Sequence, residues 1–546
     1  MGIYLNPGYG AFEIAFNSNI YVDKTEMIQF TNSVVSTSQR YIAVSRPRRF
    51  GKSYAATMLC AYYGAKESRE IFEKCKVSRH EGWDAELGKY DVIRLVMTDF
   101  VKKDLAIAAV LKKISSRILD ELEEEYPGVK YDPDDLFFSM EKFYRKSGKQ
   151  FVVVIDEWDA IFRENPGDDA GQKLYLDFLR DWLKDKEYIA LAYMTGILPV
   201  KKYGKHSALN MFSEYSMIGP MQLASFTGFT EDEVKELCRQ YGRNFEAMKE
   251  WYYGYIVSDI VPSDPDHALQ KKLGTELKPE TYFIYSPLSV VTAVSTGIIE
   301  NYWNKTETYE ALAEYINKDF DGLKEIVAIL MDGGRFKVNV KKYQNDMTTF
   351  NSRDDVLTLL IHLGYLGYDS STCEVFIPNK EILDEFKNST EDDAAWLDAF
   401  KAFKLSMELL NAIWNENAEK TAELMELAHD RAGNKTYNSE AALSYGIQYA
   451  LYAAQKYYTE IQELDSGKGY ADLVYIPSPR YPDKPALLME LKYNKDVKTA
   501  ADQVRDRNYP QVLEHYAGNI LVVSVNYDKD AKGEEFKKHS CRIERA

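Results

Sequence analysis

Gly51-Lys52-Ser53 joins three residue types that together suit a triphosphate. A glycine lets backbone N–H groups approach a phosphate, a lysine reaches the β- and γ-oxygens, and a serine hydroxyl ligates magnesium. The tripeptide follows the short apolar run Tyr41–Ser45. It opens Ser53–Gly64, which reads as a helix turning its positive end toward the anion. Arg46 stands where the first glycine of a GxxxxGKS loop would fall, so the pattern is RPRRFGKS, and Arg49 in this basic turn joins the candidate phosphate contacts. A second group closes the run Phe151–Asp159, FVVVIDEWD. There Asp156 can hold magnesium, directly or through water, and Glu157 can polarise an attacking water. The competing reading, a buried strand running into an acidic turn, loses ground once Lys52 and Ser53 are counted with it.

A second constellation lies near the carboxyl terminus. Gly467–Ile476 (GKGYADLVYI) places Asp472 in a strand, and Ala486–Tyr493 (ALLMELKY) places Glu490 and Lys492 two apart on the next. A period of two puts Glu490 and Lys492 on one face. Carboxylates from paired strands can share a metal, with Lys492 beside them to polarise or deprotonate a nucleophilic water. A solvated hairpin face is the plainer alternative.

The elements that must position these residues are legible in outline. Strand signals at Tyr41–Ser45, Asp91–Met97, Phe151–Ile155 and Tyr188–Thr195 alternate with helix signals at Ser53–Gly64, Leu105–Tyr126 and Leu174–Lys186. This alternation implies a parallel sheet with right-handed crossovers. Ligands of such sheets sit at the carboxyl edge, where Lys52, Asp156 and Thr195 fall. Thr195 is thus a candidate γ-phosphate sensor, or a cap on the next segment. Thr230–Tyr241 begins as a capped helix, with Thr230 ahead of Glu231 and Glu233. Ser263–Pro279 reads as a surface loop, and Asp354–Leu366 followed by Tyr368–Pro378 as helix, tight turn and hairpin. The turn at Gly364–Gly367 is a candidate DNA reader or, with more weight, a junction packed on the sheet domain. Aromatics such as Trp251, Tyr252, Tyr302 and Trp303 suit base stacking less well than core packing. Further on, Ala395–Leu410, Asn417–Asp430, Glu440–Glu463 and Thr499–Tyr516 read as helices.

With 546 residues, 45% hydrophobic and 28% charged, the chain has the composition of a globular protein of two to four domains. Its formal charge of −17 argues against a protein that coats DNA or RNA passively. It leaves room for a metal-dependent enzyme acting on nucleic acid, whose site is itself acidic. Five cysteines without CxxC pairing, seven scattered histidines and no signal-like or membrane-spanning run point to reduced thiols in the cytoplasm and to no membrane partner.

Several segments together carry a resemblance. YVDKTEMI (Tyr21–Ile28), SRPRRFGKS (Ser45–Ser53), VVVIDEWD (Val152–Asp159) and YMTGILPVKKYGKHSALNMFSE (Tyr193–Glu214) resemble the AAA-ATPase-like family. So do GFTEDEV (Gly228–Val234), WYYGY (Trp251–Tyr255) and NYWNKT (Asn301–Thr306). RPRRFGKS is the family's own form of the loop, and Trp158 replaces its usual tyrosine. The resemblance implies an α/β fold in three parts: a P-loop parallel-sheet ATPase domain (1–221), a mostly helical, winged-helix-like middle region (222–395), and a C-terminal α/β PD-(D/E)XK nuclease-like domain (396–546). It implies ATP and Mg²⁺ as cofactors. Nucleotide would be bound by Arg49, Gly51, Lys52, Ser53, Asp156 and Thr195, with Glu157 catalytic. In the nuclease-like part it implies Asp472, Glu490 and Lys492 as catalytic residues, Glu440 as a further metal ligand, and Gln503 on the following helix. Ala471 stands where that superfamily commonly has proline. Nucleic acid, DNA ahead of RNA, is the implied partner, and a homo-oligomer is compatible. Arg180 is a candidate arginine finger against its ordinary role in surface ion pairs. The rival reading is a nucleotide-controlled interaction switch whose nuclease-like domain binds without cutting.

Overall fold

The computed structural model describes every residue except 1, 103–104, 201–208, 259–279, 304–308, 319, 321, 342, 344–349, 392–393, 433–439, 466–469, 495–515, 517, 532–537 and 546. The chain forms two compact units, Met1–Tyr315 with Lys337–Phe386, and Ile316–Phe336 with Lys387–Ala546.

The first unit is built on β1 (Tyr41–Ser45), β2 (Asp91–Val96), β3 (Phe151–Asp156), β4 (Ile189–Gly196) and β5 (Ser213–Tyr215). These pair in parallel in the order β2-β3-β4-β1-β5. Every residue of β1, β3 and β4 is buried. This is why their sequences read as unbroken apolar runs: helices cover both faces of a parallel sheet. Helix Lys52–Gly64 buries nine side chains around most of its circumference, as a helix that is apolar nearly all round must. Beside this sheet, β6 (Phe229–Thr230), β7 (Tyr255–Ser258) and β8 (Thr281–Tyr285) make a small antiparallel sheet. Helix Glu231–Tyr241 follows β6, and the Thr230 and Glu233 side chains close a reciprocal capping box at its start. The short strand β9 (Phe336–Lys337) marks the chain's return to this unit. Helix Arg353–Leu363 and the antiparallel hairpin of β10 (Gly367–Asp369) and β11 (Glu374–Phe376) follow. Helix, turn and hairpin therefore fall where the sequence placed them.

The second unit holds helices Ala394–Trp414, Ala418–Ala432 and Glu440–Ala450. Its sheet runs β12 (Tyr458–Asp465), β13 (Tyr470–Pro477), β14 (Ala486–Tyr493), β15 (Ile520–Tyr527) and β16 (His539–Arg545), in that order. Only β14 and β15 run parallel. Leu443, Ile447, Leu473, Met489, Leu521 and Val523 share one core. The long helix expected over Glu440–Glu463 is not found. It stops at Ala450, passes through a 3₁₀ turn, and gives way to β12. The expected loop at Ser263–Pro279, helix Thr499–Tyr516 and Gln503 lie outside the described residues. Among the described residues no helix is long and apolar enough to cross a membrane.

Candidate active site

The phosphate loop leaves β1 at Arg46 and closes at Gly51, whose φ of +85° sets it in the left-handed region directly before helix Lys52–Gly64. No side chain caps this helix, so its first N–H groups are left to an external acceptor. Lys52 is buried, and its Nζ donates to the carbonyls of Arg46 (2.9 Å) and Pro47 (2.8 Å). Burial pushes the Lys52 ammonium down to about 8, against the opposing pull of Asp159, Asp156 and Glu157. Ser53 follows at the open end of the helix. Its hydroxyl has no hydrogen-bond partner among the described residues.

The register of the parallel strands brings the acidic group to the same edge. Ser45 pairs with Gly196, and Ile155 with Met194. Asp156, at the end of β3, accepts a hydrogen bond from the Thr195 hydroxyl on β4 and one from the Glu157 N–H at 3.1 Å, both at Oδ1. Its second oxygen accepts no hydrogen bond from the described residues. Glu157 turns away with φ of 53° and pairs with Arg163 at 2.6 Å. Lys52, Ser53, Asp156, Glu157 and Thr195 thus converge on one edge of the sheet.

Above them opens a cavity of about 710 Å³ lined by Arg48, Arg49, Gly51, Lys52, Ser53 and Glu157 at one end. Its remaining walls are largely apolar: Phe12, Tyr21 and Val22, then Phe226 and Phe229, then Pro287, Leu288 and Val291 of helix Pro287–Thr296. The volume lies within the range of small-molecule sites. Sequence reasoning missed these apolar walls because they come from segments more than 200 residues apart. It also missed Asp159 and Arg163, although Arg163 follows Asp159 at the i,i+4 spacing of a helical ion pair.

Arg46 has a different task from a phosphate contact. It is buried; Nε donates to Thr227 Oγ1 at 2.7 Å, and Nη1 to the carbonyls of Ser45 (2.9 Å) and Tyr215 (2.8 Å). The turn at Gly364 packs on this loop: a Cβ there would lie 2.8 Å from Pro47 Cβ, and Tyr255 OH donates to the Gly364 carbonyl at 2.6 Å. Gly364 is therefore a packing position. Tyr252, Tyr255, Tyr302 and Trp303 are likewise buried. Arg180 pairs with Asp177 and Asp181 on its own helix.

In the second unit Glu490 is 1% exposed, and Lys492 Nζ lies 3.6 Å from its Oε2, as their spacing of two on β14 requires. Asp472 lies on β13. Its neighbour Leu473 pairs with Met489 of β14, the residue before Glu490. Glu440 begins helix Glu440–Ala450. Among the described residues no three His, Cys, Asp or Glu side chains converge as a metal site.

Residues 10–204 match the family model AAA-ATPase_like, described as "Predicted AAA-ATPase". No curated protein matches the chain. Solved structures with some likeness include the ORC2 protein of Aeropyrum pernix in ADPNP–ADP complexes, with 11% identity, TM-score 0.28, and 69% of this chain and 96% of that one covered. Cdc6p from Pyrobaculum aerophilum shows 10% identity and TM-score 0.24 over 71% and 98% of the two chains. The ORC1 protein of A. pernix in complex with DNA shows 12% and 0.24 over 68% and 94%. The family match over residues 10–204 and the parallel sheet with its glycine-lysine-serine loop fit a P-loop ATPase-type domain in the first unit.

Proposed function

We propose that this chain binds and hydrolyses ATP at the β1–β3–β4 edge and couples that cycle to a PD-(D/E)XK nuclease-like second unit acting on nucleic acid, DNA ahead of RNA. The observation that carries the ATPase part is the convergence of Lys52, Asp156, Glu157 and Thr195 beneath the 710 Å³ cavity. In this reading Lys52 leaves the Arg46 and Pro47 carbonyls for the β/γ-phosphates, with the N–H groups of Gly51–Ser53 around them. Arg49 adds charge at the rim, and the apolar wall of Tyr21, Val22, Phe226 and Leu288 receives the base. Ser53 Oγ and the free Asp156 oxygen are the groups that would hold magnesium, which supplies charge neutralisation of the phosphates. Glu157 orients water for attack on the γ-phosphorus. The bond to the bridging oxygen breaks, its electron pair leaves with ADP, and the water's proton passes through the Glu157 carboxylate to the released phosphate. Thr195, held on Asp156, senses the γ-phosphate. Lys52→Ala should abolish ATP turnover; normal turnover in that variant would remove the assignment.

For the second unit, support comes from the order helix, β12–β13 hairpin, β14 and a parallel β15, and from the Glu490–Lys492 pair. Asp472 and Glu490, with Glu440, would be the metal ligands. The boundaries 1–221, 222–395 and 396–546 belong to this reading. So does a cytoplasmic setting, supported by five free cysteines. Magnesium-dependent cleavage of plasmid or RNA that Glu490→Ala abolishes is the expected result. A wild type that hydrolyses ATP yet cleaves neither favours the interaction switch.

A further inference from the structure

Glu157 adopts φ of 53°, a conformation that is costly for a non-glycine residue and persists only where its surroundings hold it. The Glu157 side chain is gripped by Arg163. Its Nη2 donates to Glu157 Oε2 at 2.6 Å, and its Nε lies 3.4 Å from Asp159 Oδ2. The side chain of Arg163 is 7% exposed and that of Asp159 fully buried, so this is no solvated surface pair. Asp159 Oδ2 also accepts the backbone N–H groups of Ile197 (3.0 Å) and Leu198 (2.9 Å), immediately beyond Thr195 and Gly196. The guanidinium is therefore anchored from behind by a carboxylate that is itself bound to the end of β4. In front it grips one oxygen of Glu157, whose residue lines the cavity, and Oε1 has no hydrogen bond among the described residues.

We propose that Arg163 is a positioning residue for hydrolysis, an inference that rests on the ATPase reading. Arg163 holds Glu157 by Oε2 so that Oε1 faces the water beside the γ-phosphate. Through Asp159 it ties that placement to the segment following the γ-phosphate sensor Thr195. A planar fork spanning two carboxylates is a task for which lysine is a poor substitute.

The test measures ATP turnover and the affinity of a fluorescent ATP analogue on the full chain. Misplacing a catalytic group by about 1 Å costs about 10²-fold, so Arg163→Met should lower kcat by about 100-fold while KM and analogue affinity stay within about threefold. Arg163→Lys, which keeps the charge, should lose only about three- to tenfold. In a Glu157→Gln background, adding Arg163→Met should change residual turnover by less than about twofold, because the two residues act as a unit. A purely structural role would instead give equal losses in both backgrounds, and that result overturns the proposal. So does an Arg163→Met variant within about threefold of wild-type turnover. Should Arg163→Met fail to bind nucleotide, Arg163→Lys decides, and wild-type turnover in that variant overturns the proposal. A wild type that binds no ATP removes the ATPase reading and this inference with it. A wild type that binds and hydrolyses ATP while ignoring both Arg163 substitutions removes the inference alone.

Discussion

If Lys52 grips the phosphates as proposed, nucleotide affinity should fall as pH rises through about 8, because its ammonium loses its proton there. Burial brings Lys52 from 10.5 down to about 8 in the free protein. A triphosphate laid against the ammonium favours its charged form, so above pH 8 each binding event takes up a proton. A phosphate's last proton has a pKa of about 6, which keeps the ligand's charge nearly constant over the interval. If the bound lysine stays protonated, affinity scales with the protonated fraction of the free lysine, about 0.9 at pH 7 and 0.09 at pH 9. A fall of about tenfold, or about 1.4 kcal/mol, follows. Stability of the free protein runs the other way. The folded-state lysine is less basic than the unfolded one, so the unfolded chain holds more protons between about pH 8 and 10.5, and stability rises across that window. The gain is on the order of 3 kcal/mol at most. Calorimetric titration with ATP at pH 7 and 9, in buffers of different ionisation enthalpy, reads both the affinity and the proton uptake. Constant affinity with no proton uptake would refute the reasoning, as would an equal pH slope in Lys52→Met.

Lys24→Met should destabilise the first unit by about 2 kcal/mol in denaturant unfolding, since it strips Glu233 of a mostly buried partner at 2.6 Å and the Ser225 carbonyl of a donor at 2.7 Å. Arg46→Gly restores the familiar glycine of the loop and should nonetheless cost about 3 kcal/mol or more, because Thr227 and the Tyr215 carbonyl lose a buried donor. Unchanged midpoints in either variant would count against the packing described.

The site was legible wherever its residues lie close in sequence and the elements carrying them are buried. β1, β3 and β4 announced themselves as apolar runs, and Ala486–Tyr493 was found with the bounds it has in the fold. The Thr230 cap was read from spacing alone. What escaped depends on distant partners. Tyr458–Asp465 (YTEIQELD) is rich in helix-forming Glu, Gln and Leu, and by propensity it prolongs the preceding helix. Pairing with β13 along seven described positions overrides that preference, because strand propensity follows packing context more than sequence. β15 (ILVVSVNY) went unassigned although its β-branched run carries the same signal as β3 and it is buried throughout, and β16 (HSCRIER), mixed in polarity, carries no such signal. The apolar wall of the cavity had no local signature at all. Phe12, Phe226 and Val291 meet only once the sheet has assembled.

The replaced glycine explains how the loop keeps its shape with a different residue at its head. Positive φ is the usual reason for glycine in a phosphate loop. Here the left-handed positions fall at Arg49 (67°) and Gly51 (85°), and Arg46 is not among the residues with positive φ. Glycine's freedom is thus unnecessary at position 46, and a side chain there can be used for bracing. Arg46 uses it by reaching back from the loop to β5 and Thr227, while the Gly228 N–H donates to the Phe50 carbonyl at 2.8 Å. Both ends of the loop are consequently fastened to the segment that enters β6, and Gly364 packs on Pro47 from the far side of the same turn. Burial lowers the Arg46 guanidinium to about 10 and the neighbouring His362 imidazole to about 3. At neutral pH the one is charged and the other neutral, so two buried like charges never meet beneath the loop. The loop is thus fastened at Thr227, three residues before the cap of helix Glu231–Tyr241, and packed against Gly364, three residues before β10.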